Sequence, residues 1–166
     1  MNPPPVINGT RVILYALVGE SVKFTGNLCL YVDGTRLGAV QRLVISESLD
    51  DQHKLFLLHC DNNWHVLGIQ AWNTIDDPNV TTPNDVKTRA ENYYAGIASQ
   101  WIAHGTSLED ARAYHEQMIG EHRCSFCNRT VDDVQLLMEG KNNARICDLC
   151  ITGLNAEINS DETRAE

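Results

Sequence analysis

Arg123-Cys124-Ser125-Phe126-Cys127 and, nineteen residues after its second cysteine, Ile146-Cys147-Asp148-Leu149-Cys150 decide how the C-terminal part of this chain folds. Each stretch holds a Cys-x-x-Cys pair. Two intervening residues let a tight turn aim both sulfurs at one point and leave backbone N–H groups to bond them. A lone pair could be a redox dithiol, but two pairs at this separation read as one site of four thiolates. Zinc suits such a set, because it takes four soft donors at tetrahedral corners about 2.3 Å away. The expectation is one Zn²⁺ per chain, bound by Cys124, Cys127, Cys147 and Cys150.

The residues between the pairs give the module a shape. Val134 to Glu139 and Ala144 to Cys147 can pair across Gly140-Lys141-Asn142-Asn143, a run of turn formers. The last two cysteines then open a helix from Asp148 to Ile158, where the positive helix end favours a thiolate. Knuckle, hairpin and helix make a treble-clef-like unit. So few residues cannot hold together by burial alone. Metal binding, on the order of 10–16 kcal/mol in small zinc peptides, would supply the difference.

The cysteine stretches, together with Val134, Leu136-Leu137 and Gly140, resemble the N-terminal zinc-binding domain of ClpX, the unfoldase that feeds the Clp protease. Leu154-Asn155-Ala156-Glu157-Ile158 continues the resemblance past the fourth cysteine, so it spans Arg123 to Ile158. It implies a domain that dimerises and captures short apolar segments of adaptors and substrates. A protein or peptide partner, and a homodimer formed through the module, follow as expectations. Phe126, Leu137, Leu149, Ile151 and Leu154 are the candidate partner-binding side chains. Val134, Leu136, Met138, Ile146 and Ile158 are further apolar positions, and about half of the ten should surround the metal. Arg145 stands where the family commonly has an aromatic residue. The phosphate-loop pattern Gly-x4-Gly-Lys-Ser/Thr is absent, so the resemblance does not extend to the ATPase.

Upstream of the module the pattern changes. Arg11 to Val18, Ser21 to Phe24, Asn27 to Val32 and Thr35 to Ser46 are strand-like, with Asp33-Gly34 as a two-residue hairpin turn. Lys54 to Cys60 and Trp64 to Trp72 make a second hairpin, giving an antiparallel sheet of five or six strands. Thr82, Pro83 and Asp85 cap a helix whose apolar stripe, Val86 to Trp101, runs until Gly105. Ser107 and Asp110 cap another, facing inward with Leu108, Ala111, Tyr114 and Met118. The fold class is therefore α+β: an N-terminal sheet with covering helices at residues 1–119, the zinc module at 120–158 and a polar tail at 159–166.

The net charge of −9 is spread along the chain, −4 over residues 1–115 and −5 over 116–166, and four thiolates on one Zn²⁺ add about −2. Without a basic patch to release counterions, a nucleic-acid-binding zinc finger is disfavoured as the alternative reading. An immunity-type binding role rests on analogy alone. The longest apolar run, Val12 to Val18, is far below the ~20 residues of a membrane helix. Thiolate ligands and the unpaired Cys29 and Cys60 point to the reducing cytoplasm. No enzyme is expected. Cys60 with His59, Asp61 and His65 resembles a thiol–base pair, but His59 and Cys60 alternate on one strand, and a buried cysteine acts as a small hydrophobe. His115 and His122 read as surface residues, although a swap of His122 into the ligand set is conceivable. Asp50-Asp51, Asp76-Asp77 and Asp132-Asp133 read as turns and caps, and Trp64, Trp72 and Trp101 as core anchors.

Overall fold

The structure, a computed structural model, describes residues 2–32, 34–76, 79–120, 123–141 and 144–162, without the side chains of 119–120 and 160–162. In chain order the strands and helices are β1 (Val6–Ile7), β2 (Thr10–Leu17), β3 (Lys23–Phe24), β4 (Tyr31–Val32), β5 (Thr35–Arg36), β6 (Arg42–Ser48), β7 (Lys54–Cys60), β8 (Val66–Asn73) and α1 (Pro83–Tyr93). There follow β9 (Tyr94–Ala95), β10 (Ile102–Ala103), α2 (Leu108–Gly120), β11 (Leu137–Glu139), β12 (Arg145–Cys147) and α3 (Asp148–Glu162). No described helix is long and apolar enough to cross a membrane.

The expected antiparallel sheet forms, in the order β1-β2-β6-β7-β8, with β10 also on β2. The imperfect alternation of apolar residues has a structural cause: the central strands are buried on both faces. Leu43, Ile45, Leu55 and Leu57 join Val86 and Ala90 of α1 in one core. Val44, Leu58 and Cys60 join Ile7, Val12, Tyr15 and Trp64 in a second core on the other side. Helix α2 packs elsewhere, laying Ala111 against Val6 and Leu49 beside β1.

The tryptophans divide between the two faces. Trp64 is buried in the second core, edge-on to Tyr15 at 5.7 Å and under the Arg42 guanidinium at 4.3 Å. Trp72 and Trp101 pack partly buried on the α1 side. All three are anchors, though Trp64 anchors the face that α1 does not cover.

Three expectations are corrected. The Asp33-Gly34 hairpin is only two residues long on each side, pairing Val32 with Thr35 and Tyr31 with Arg36, and Asp33 lies outside the described residues. Upstream, the Arg36 guanidinium donates to the carbonyls of Leu28 (2.9 Å) and Gly26 in place of a strand ladder. Downstream, residues 42–48 leave the hairpin to pair with β2 and β7.

The helix capped by Thr82 also ends early. Thr82 and Asp85 form the capping box and Pro83 is its first residue, but α1 stops at Tyr93. Tyr94 turns fully into the core, where its hydroxyl accepts from Val40 N at 3.4 Å, and its strand pairs with β3. Gly96 then sits at φ 92°, open to glycine and strained for other residues. The Glu91 carboxylate accepts from Gly96 N (2.6 Å) and Ala98 N (2.8 Å), which holds the break. The second cap forms as expected: Asp110 N donates to Ser107 Oγ at 3.0 Å. Asn159 to Glu162, expected in the tail, continue α3.

Candidate metal centre

The sequence around the first pair builds a knuckle. Asn128 adopts the left-handed conformation at φ 65°, which asparagine tolerates, and its N–H donates to Cys124 O at 2.9 Å. Cys124 N donates to Arg129 O at 2.8 Å, and Arg123 bridges to Thr130. The knuckle is tied to the hairpin by Ser125 N to Arg145 O (2.8 Å) and by Arg145 N to Ser125 Oγ (2.9 Å). In the hairpin Leu137 faces Cys147 and Glu139 faces Arg145 across the ladder. Arg145 thus makes a cross-strand ion pair, with Glu139 Oε2 2.8 Å away. Asn142 and Asn143 of the turn lie outside the described residues. Leu136 N donates to Asp148 Oδ1 at 3.2 Å, fixing the start of α3 and with it Cys150.

All four sulfurs lie within 4.8 Å of one another. Cys124 Sγ is 3.8 Å from Cys150 Sγ, and Cys127 Sγ is 3.6 Å from Cys147 Sγ. Bonds of about 2.3 Å at tetrahedral corners require sulfur separations of about 3.8 Å, so the set fits zinc. A disulfide would bring two sulfurs to about 2.05 Å, and none of the cysteines is so paired. Backbone N–H groups are in place as outer support: Cys147 N donates to Cys124 Sγ and Cys150 N to Cys147 Sγ, both at 3.4 Å.

The electrostatics favour a cation. Hydrogen bonding from the Cys127 thiol, aided by the backbone, holds Cys124 down to about 4. Donating that bond pushes Cys127 up, and burial pushes Cys150 up to about 12. Cys124 is thus favoured as a thiolate, whereas Cys127 and Cys150 need a metal's charge to ionise. The Arg129 guanidinium interacts electrostatically with the Cys127 and Cys147 sulfurs and so offsets part of the site's negative charge. Spacing gave no hint of Arg129. Among the described residues no other cluster of three or more metal-capable side chains converges. His122 lies outside the described residues.

The module rests on the sheet domain. The Asn8 amide, turned with its nitrogen inward, donates to the carbonyls of Ser125 (3.1 Å) and Phe126. His65 places Nδ1 3.1 Å from Asp61 Oδ2 and Nε2 3.8 Å from Asp133 Oδ2, joining the β7–β8 loop to the module. Asp133 also accepts from Thr130 N at 3.0 Å, the cap expected of the Asp132-Asp133 pair. His59 and Cys60 point to opposite faces and are fully buried, and burial pushes the Cys60 thiol up.

The candidate partner-binding residues fall in two places. Leu137 packs on the cysteines beside Val134, and Ile151 is half-buried. Phe126, Leu149 and Leu154 are 47%, 49% and 42% exposed, as are much of Leu136, Met138 and Ile158. Phe126, Leu149 and Leu154 line an open cleft of about 450 Å³ whose opposite wall is Val32, Val66 and Leu67 of the sheet domain. That opposite wall left no sign in the sequence, because residues 32 and 66 meet only in the folded chain.

The geometry defines a structural zinc module of four thiolates, closed to substrate because every coordination position is a cysteine. Residues 122–159 match the family described as ClpX C4-type zinc finger, which confirms the resemblance over that segment, under a quarter of the chain. No solved structure matches the chain.

Proposed function

We propose that this chain is a non-enzymatic, adaptor-like interaction protein whose zinc module docks an apolar segment of a protein partner. One observation carries the reading: Phe126, Leu136, Met138, Leu149, Leu154 and Ile158 are exposed to water instead of packing against the cysteines. With Val131, seven large apolar side chains of this small unit are exposed, and Phe126, Leu149 and Leu154 gather along one cleft, where clustered apolar surface marks an interaction site. The ClpX likeness supports the same role, and self-association through this face would compete with capture. The acidic balance argues against nucleic acid as the partner. Six cysteines without a disulfide suit a reducing compartment such as the cytoplasm.

The test is binding of a labelled, permanently unfolded protein by the zinc-loaded chain, compared with a Phe126→Ser/Leu149→Ser/Leu154→Ser variant. The substituted residues are exposed, so the variant should keep its zinc and fold. At least a tenfold loss of affinity, about 1.4 kcal/mol, is expected. Unchanged binding by a zinc-loaded variant would remove the proposal.

A further inference from the structure

The cleft lined by Phe126, Leu149 and Leu154 is built by two regions of the chain. Its opposite wall is Val32 of β4 with Val66 and Leu67 of β8. Gly68 lets that wall form, because a Cβ there would run into Leu30 and Leu37 of the segment that carries β4. Leu37 N donates to Leu30 O at 2.7 Å and holds this segment closed. Val32 is half-buried and joins neither core of the sheet, so its apolar surface remains available to a ligand.

The charge around the cleft has one sign. Cys127 and Cys150 line it, and four thiolates on one Zn²⁺ carry about −2. Arg129 and Glu157 line it too, but the Arg129 guanidinium interacts with the Cys127 and Cys147 sulfurs, so its charge is directed at the metal site. On its other side Leu149 lines a second recess with Asp132, Asp133 and Asp148, and with no Lys or Arg. An apolar cleft therefore continues, across one leucine, into an acidic one.

We infer that the occupant is a basic, apolar peptide segment of a partner protein. Its apolar side chains enter between Phe126, Leu149 and Leu154 and the sheet wall, and a Lys or Arg beside them lies over Asp132, Asp133 and Asp148. This rests on the reading that the module's apolar face docks a partner. It adds the sheet domain as half of the site and charge as the selector. An acidic segment would meet like charge in both recesses, whereas clefts of one sign concentrate ligands of the other. A second copy of the module fits poorly for the same reason, since α3 brings no Lys or Arg to the contact.

The experiment measures binding of three labelled peptides to the full, zinc-loaded chain. One has two leucines flanked by lysines, one has glutamate for each lysine, and one has serine for each leucine. The first should bind at least tenfold more tightly than either of the others, and added salt should weaken it. Val32→Lys should weaken the first peptide at least tenfold, with circular dichroism and zinc content unchanged. Asp132→Lys, at an exposed position, should cut the preference for lysine over glutamate at least threefold. Equal binding of the lysine and glutamate peptides overturns the inference, as does a Val32→Lys chain that binds as before. If Phe126→Ser/Leu149→Ser/Leu154→Ser still weakens binding in those cases, docking on the module stands without it; if that variant also binds unchanged, both fall. A serine peptide that binds as tightly as the first overturns the inference by reducing the contact to charge alone. Absence of binding by all three overturns it as well, while the unfolded-protein assay judges docking on the module separately.

Discussion

In the sheet domain Leu43, Ile45 and Leu57 are out of water on one face and Val44 and Leu58 on the other; in the zinc module the buried side chains are mostly the cysteines themselves. The first region can be held by burial, at roughly 25 cal/mol per Å² of apolar surface. The second has exposed most of its apolar residues and depends on the metal. The difference separates a unit free to use its hydrophobic side chains for a partner from one that has already used them internally.

Removing the metal should divide the two regions most sharply. Purified protein is expected to carry one zinc per chain, and chelation should strip exchange protection from 123–158 while β2, β6 and β7 keep theirs. The metal's contribution, on the order of 10 kcal/mol, leaves little structure without it. A module that stays protected when metal-free would end the contrast. The reverse experiment is Leu57→Ala, at a fully buried core position. It should cost about 2–5 kcal/mol in urea unfolding of the sheet domain, with zinc content unchanged.

Between pH 6.5 and 4 acid should act on the sheet domain through His59. His59 is fully buried, with Nε2 3.3 Å from Gln70 Oε1 and no partner for Nδ1 among the described residues. Burial lowers it from 6.5 to about 4. Its folded form therefore stays neutral where the unfolded chain takes up a proton. Stability from this group is full above pH 6.5 and is lost as pH falls toward 4, by about 3 kcal/mol in all. His59→Gln should flatten the unfolding free energy between those limits; an unchanged slope would assign it to other groups. The smallest effect is at the α1 cap. Thr82→Ala removes the hydroxyl that accepts from Asp85 N and should cost about 1 kcal/mol, again without loss of zinc.

The sequence made the metal site legible because zinc chemistry restricts both residue type and spacing. It made the caps legible too: Thr82-Pro83-x-Asp85 and Ser107-x-x-Asp110 act within one turn, so neighbours in sequence are the partners. It misled on α1 because an apolar stripe from Val86 to Trp101 fits a continuous helix, whereas Tyr94 is pulled into a pocket beside Val40 and Glu91 satisfies the broken backbone. The stunted Asp33-Gly34 hairpin has the same origin, since β2 and β7 compete for residues 42–48.

Residue order alone thus determined the four ligands, the ion they select, the ClpX-type module around them and an α+β chain with capped helices. All of these rest on groups a few bonds or turns apart. Tertiary structure alone decided which apolar residues face water, that Asn8 and His65 seat the module, and that Val66 and Leu67 of β8 face Phe126 and Leu149 across one cleft. Each of these depends on segments distant in sequence meeting in space, and no local pattern encodes that meeting.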